Sequence, residues 1–522
     1  MTLLPRLTLL AALVAAPLAA QEPAAATCPV DFNQPKELVT LYNITRMRAL
    51  QLAPGDERAK VIRDIMKTVG NPKIASANPL GTNAIAGQML VLWMMQPNIG
   101  NTATRGDLNW GTPKEQVIDL AKTADSLFTT VEAQSPACHG ETKPFRQAKP
   151  WQDRINAAFK FMAANEVDSA EVYAKSSQVL DRWSPYAPRV YAAIAQVRGS
   201  QADMMKNLEE ALKLTEGDTT YAEDRRAVLF QIGQVGLEYA EIQPEPQRTA
   251  TLRRAAQVLM QLATESPDGE STPYALSGLG MAATSLKDSS LFQSCYSLVD
   301  KATDKYSDMS ALQGAICANR MGKTAEAVKL FEATLAKNPN SRDALYNAAA
   351  LLYELRKGKE MLPMVDRLVA LDPSNPDNVA LYAYAYNVLL EESKPKDPPP
   401  PPAPAAPARP GAAKPAAAPP PPPSPYADSV AKYMKLNDDM PQRVVIVEFV
   451  RYADRAVVKG EIENRTKAAR SYEITFELLD IAGNVVDTQV AKVENVAPAA
   501  TSAFEVKSDK PKIVAWRYAP VK

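Results

Sequence analysis

The chain has 522 residues, of which 46% are hydrophobic and 23% charged, so there is material for about two to four globular domains. Lys plus Arg matches Asp plus Glu at 59 each, which excludes a basic excess that would attract nucleic acid or an anionic membrane surface. Of the 43 prolines, 16 fall in Pro395 to Pro425, so the excess is local and one segment departs from globular composition.

The first elements are a leader and a helical region. "MTLLPRLTLLAALVAAPLAAQEP" has Arg6, an apolar run from Leu7 and small residues up to Ala20, the pattern of a secretory signal over 1–20. Cys28 follows Thr27 well past that run, which argues against lipidation. Export to a periplasm or the outside of a bacterial-type cell is expected. Residues 21–148 read as helical, with Leu38, Leu41 and Ile44 on one face and Val61, Ile62, Ile65 and Val69 on another helix that stops at Gly70. "GNTATRGDLNWGTP" reads as loop, and a helix is expected to open at Pro113 and to carry Val117, Leu120, Ala124 and Leu127. "NAIAGQMLVLWMMQ" (83–96) falls short of the roughly 20 residues a membrane span requires, so a buried helix is expected.

Four cysteines, Cys28, Cys138, Cys295 and Cys317, suggest two disulfides in an oxidising compartment, with three possible pairings. Cys28–Cys138 with Cys295–Cys317 is favoured, because the second pair lies in consecutive helices of one stack. With a single histidine and no ribbon spacing, zinc is not expected.

Over 149–392 the helices become short and paired, with a Gly, Pro or Asp-Pro stop about every 30 to 40 residues. Ser310–Asn340 and Ser341–Asn375 are the clearest units, each with a turn holding Gly322 or Gly358 and each closing on a proline, Pro339 and Pro373. Ala327, Phe331 and Pro339, followed by Leu345, Ala348, Ala349 and Leu352, resemble the tetratricopeptide repeat family most clearly over 308–390. That resemblance implies an all-α solenoid whose first helices line a groove for a protein or peptide. By the same resemblance, the groove-facing residues are Asn319, Arg320, Tyr346, Tyr353, Tyr384 and Asn387, and no carboxylate clamp for an acidic tail is present.

Residues 393–426 form a Pro/Ala-rich linker. As stiff polyproline II at ~3.1 Å per residue it would reach on the order of 90 Å, and a spacer role is expected. From 427 to 522, six short alternating segments predict a small antiparallel β-sandwich, clearest where Tyr472, Ile474, Phe476 and Leu478 alternate with Glu473, Thr475 and Glu477. "TFELLDIAGNVV" followed by "VENVAPAATSAFEV" resembles the FxLYD family of immunoglobulin-like modules, with Leu479 where that family usually has Tyr.

Motifs for chemistry are sparse. There is no GxxxxGK, GxSxG, HExxH or calcium loop, and His139 would have to serve any histidine-based catalysis from a Gly-bearing loop beside Cys138. "SGLGMAA" (277–283) reads as helix packing, and the acidic residues of "DPSNPDN" (372–378) read as caps for the following helix. No enzyme, cofactor or metal is expected. The function expected is an exported scaffold whose solenoid and tethered sandwich engage separate sites across the strut. An alternative is an envelope glycan-binding protein, which would need Trp516 and Tyr518 exposed on the sandwich.

Overall fold

The computed structural model describes residues 28–134, 137–394 and 424–521 and divides into two compact units at Thr219/Thr220. The leader and residues 395–423 lie outside the described residues. No helix among those described is long and apolar enough to cross a membrane.

In the first unit, α1 (Lys36–Thr40) runs through a π-helical turn into α2 (Arg46–Gln51), followed by α3 (Asp56–Val69), α4 (Pro72–Ala77) and α5 (Pro79–Met94). The core here is the expected apolar faces: Ile62 and Ile65 of α3 meet Ile85, Met89 and Leu90 of α5. α5 is buried almost all round, and Gly87 sits where a Cβ would lie 2.6 Å from the Phe128 ring. The expected helix from Pro113 begins later. β1 (Thr102–Thr104) pairs with β2 (Val117–Asp119), and α6 (Leu120–Glu132) opens only after Asp119 caps its first turn by accepting from the Lys122 N–H. α7 (Cys138–Arg146) precedes two helical hairpins, α8 (Lys149–Ala163) with α9 (Val167–Leu180) and α10 (Tyr186–Val197) with α11 (Gln201–Leu214). Disulfides join Cys28 to Cys138 in this unit and Cys295 to Cys317 in the second.

The second unit contains five hairpins: α12 (Ala222–Glu241) with α13 (Gln247–Glu265), α14 (Thr272–Leu286) with α15 (Ser289–Asp300), α16 (Asp308–Arg320) with α17 (Thr324–Lys337), α18 (Arg342–Glu354) with α19 (Gly358–Leu371), and α20 (Pro376–Glu392) with α21 (Pro425–Asp439). Small residues set the seams. Gly278 of α14 packs on Leu259 of α13, and a Cβ on Gly358 would lie 2.7 Å from the Ala385 carbonyl of α20. The two turns expected to hold glycine therefore differ. Gly322 takes the left-handed conformation at φ +71, whereas in the next hairpin Arg356 does so and Gly358 is kept for close approach.

The final hairpin was not legible as one. Its two helices lie on either side of the Pro-rich segment, yet the Ser393 and Ser424 hydroxyls are 3.2 Å apart. Tyr433 of α21 stacks on Tyr382 of α20 at 4.5 Å and on Tyr386 at 5.7 Å. The described residues on its two sides thus meet at one point, which does not fit a segment that spaces the solenoid from the sandwich. Only Met440 and Pro441 separate α21 from the first sandwich strand.

The sandwich has two three-stranded antiparallel sheets. β3 (Gln442–Arg451), β4 (Ala456–Asn464) and β7 (Thr501–Ser508) form one, in the order β3-β4-β7. β6 (Val485–Val496), β5 (Arg470–Leu479) and β8 (Ala515–Tyr518) form the other, in the order β6-β5-β8. Tyr472, Ile474, Phe476 and Leu478 point into a core drawn wholly from the sandwich, and Gly483 makes its turn at φ +84. Residues 427–439, read as sandwich from the sequence, belong to α21 instead.

Candidate interaction faces

The first helices of the hairpins present one series of side chains and the sandwich contacts another. On α18, Tyr346 and Tyr353 are half-buried two turns apart, and the Arg342 guanidinium sits 5.1 Å over the Tyr346 ring. Tyr384 of α20 is 44% exposed with its ring 5.5 Å from that of Tyr353, and Asn387 follows one turn later. α20 carries alternate tyrosines because its two faces do different work. Tyr382 and Tyr386 stack on Tyr433 of α21, while the Tyr382 hydroxyl donates to Asp366 of α19 at 2.6 Å and is held well above its ordinary pKa by burial and that carboxylate. Asn319 is half-buried and Arg320 exposed at the end of α16. Of the six residues that the sequence singled out, Tyr353 and Tyr384 are in ring contact.

The second face was not found from sequence. β3 and β8 are edge strands, and open edges expose unpaired backbone groups that must be covered. Loops and first turns of the hairpins cover them. The Val444 N–H donates to the Ser374 carbonyl and the Val521 N–H to the Ser374 hydroxyl, both at 2.9 Å. Asp372 is fully buried and accepts from the Tyr518 hydroxyl, Asn378 Nδ2 at 2.8 Å and Arg342 Nε at 3.4 Å. Burial and the neighbouring Asp372 carboxylate hold the Tyr518 hydroxyl well above its ordinary pKa, so it remains a donor. Asp372 therefore closes a cluster, while the cap of α20 is Asn375, which accepts from the Asp377 N–H. Further along, Arg451 pairs with Asp308, whose other oxygen accepts from Asn338 Nδ2 at 2.9 Å. Burial opposes the Asp308 charge, but the hydrogen bond and charge of Arg451 outweigh it and leave the carboxyl below its usual range. The available signal was Asp308, Asp343 and Asp377 recurring near the repeat spacing in successive first turns; such residues also suit helix N-termini, so they read as ordinary.

Two cavities lie along this contact. One of about 140 Å³ is lined by Met309, Leu312, Asp343, Val447, Phe449 and Trp516. A wider one of about 730 Å³ is lined by Phe230, Pro273, Tyr274, Tyr452 and Ile513.

Neither His139 nor the pair Trp516 and Tyr518 forms a surface site. The His139 ring is held 3.5 Å from Glu132 and edge-on to Trp183. Trp516 and Tyr518 are each only 3% exposed and pack against Phe476, so the exposed aromatic face that glycan binding required is not formed by them. Among the described residues no group of three His, Cys, Asp or Glu could hold a metal ion.

No protein-family model matches the chain, and no curated protein matches it in sequence. Solved structures similar to it are helical-repeat proteins. The assembly chaperone of RpL4, Acl4, is 16% identical, with 46% of this chain and 97% of that one covered and a TM-score of 0.30. PilF of Pseudomonas aeruginosa is 15% identical over 46% and 85%, with a TM-score of 0.23. YrrB, described as a TPR protein with an unusual peptide-binding site, is 17% identical over 50% and 97%, with a TM-score of 0.21. None of these likenesses bears on what this chain binds.

Proposed function

We propose that this protein is an exported, non-enzymatic scaffold that binds a protein or peptide on the first-helix face of its hairpins. The sandwich is carried as a docked module and not as a tethered one. The observation that carries the reading is the Tyr353–Tyr384 pair, two aromatic rings 5.5 Å apart on neighbouring first helices with Tyr384 open to solvent. Tyrosines give large contact area at low conformational cost, which makes such a pair suited to anchoring a partner. Stacked hairpins extend that face across several repeats. Export is supported by the leader-like segment over 1–20 and by two disulfides, which persist in oxidising compartments.

The test is proximity labelling of the exported chain, comparing wild type with Tyr353→Ala/Tyr384→Ala. Loss of at least tenfold in labelled partners, with unchanged circular dichroism, is the expected result. An identical set of labelled partners at equal yield would refute the assignment of this face.

A further inference from the structure

β3 lies across the first turns of four successive first helices. Arg443 pairs with Asp377 of α20 at 2.7 Å. Val447 and Phe449 line the smaller cavity with Asp343 of α18. Arg451 pairs with Asp308 of α16, and its carbonyl oxygen is 3.5 Å from the Tyr274 hydroxyl of α14. The eight steps of strand from Arg443 to Arg451 span about 27 Å at roughly 3.3–3.4 Å per residue. One extended segment therefore runs past α20, α18 and α16 with an arginine at either end, and Arg451 reaches α14 as well.

Three features set this contact apart from a permanent domain core. The sandwich core contains no hairpin residue, so the module has an interior of its own. Charge pairs stand at both ends of β3 in the contact, and hydrogen bonds link Tyr518 and Val521 to Asp372 and Ser374. Two clefts open to solvent run along it, so water reaches the contact from its sides.

We infer that β3 is a cis occupant of this row, a built-in strand that an extended, arginine-bearing segment of a partner replaces when the sandwich lifts away. The inference rests on the scaffold reading and names what the second face takes. Its test leaves Tyr353 and Tyr384 untouched, so the two can fail separately.

The probe is a fluorescein-labelled peptide of the β3 sequence, QRVVIVEFVR, added to the full chain carrying Arg443→Glu and Arg451→Glu. Anisotropy should show at least tenfold tighter binding to that variant than to wild type. Adding Asp308→Asn and Asp377→Asn should abolish the gain. Equal binding to wild type and variant, or binding to neither, overturns the inference. A second measurement uses wild type alone and does not depend on the variants folding. On raising salt to about 1 M, which shortens electrostatic range to ~3 Å, hydroxyl-radical oxidation of Met309 should rise at least threefold while that of Tyr472 and Phe476 in the sandwich core stays constant. If Met309 becomes reactive only together with those core residues, the sandwich leaves only by unfolding, and the inference fails.

Discussion

Replacing Glu132 by Gln should loosen the junction of α6 and α7 by an amount that depends on pH. Arg146 is 1% exposed and is held by Glu132 through two bonds of 2.7 and 2.8 Å, by Asp125 at 2.8 Å and by the Leu180 carbonyl at 2.8 Å. Burial works against the Glu132 charge, but hydrogen bonds from His139, Arg146 and Thr142 outweigh it and hold the carboxyl at about 2, against an ordinary 4.5. At ~1.4 kcal/mol per pKa unit that difference is worth about 3.5 kcal/mol of folding stability, similar to the roughly 3–5 kcal/mol cost of breaking a buried pair. Because the folded pKa is the lower one, the contribution is complete above the unfolded value of 4.5 and is lost as pH falls towards 2. Glu132→Gln removes it at every pH. Amide exchange of α6 and α7, followed by mass spectrometry on the full chain, should show protection reduced about three-hundredfold at pH 7, the equivalent of about 3.5 kcal/mol. The gap between wild type and variant should close as pH approaches 2. An equal gap at pH 7 and near pH 2 would refute the assignment of Glu132 as the charged partner.

Other perturbations probe the second unit. Tyr518→Phe leaves the buried Asp372 without its hydroxyl donor at a cost of about 1.5–3 kcal/mol, which should raise amide exchange in β8 and at Ser374–Asn378 without altering α12–α15. Gly358→Ala forces a Cβ to 2.7 Å from the Ala385 carbonyl and should lower stability by about 1–3 kcal/mol in urea unfolding monitored on α19 and α20. Gly322→Ala meets nothing within 4 Å and incurs only the left-handed backbone cost of about 1–2 kcal/mol, so the two glycines should differ in which contacts loosen. Replacing residues 396–422 by a four-residue Gly/Ser turn should keep the sandwich docked. It should also stabilise the α20–α21 hairpin by about 1.5 kcal/mol, since loop-closure entropy falls with each halving of length. Release of the sandwich in that variant would restore the strut reading.

Local pattern sufficed for the regular elements. Apolar residues at helical spacing placed α3 and α5, and prolines thirty-four residues apart marked the hairpins from α16 to α19. Strict alternation placed β5 with Tyr472, Ile474, Phe476 and Leu478 inward. Tertiary structure decided which distant pieces meet. Nothing local in Tyr426 or Tyr433 says that they complete a hairpin begun by Tyr382 and Tyr386 on the far side of a Pro-rich segment. Nothing local in Asp372 distinguishes a helix cap from the buried acceptor of Tyr518, 146 residues away. Only three-dimensional packing sets Arg443 and Arg451 opposite Asp377 and Asp308, because the energy of a charge depends on what surrounds it and not on its neighbours in the chain.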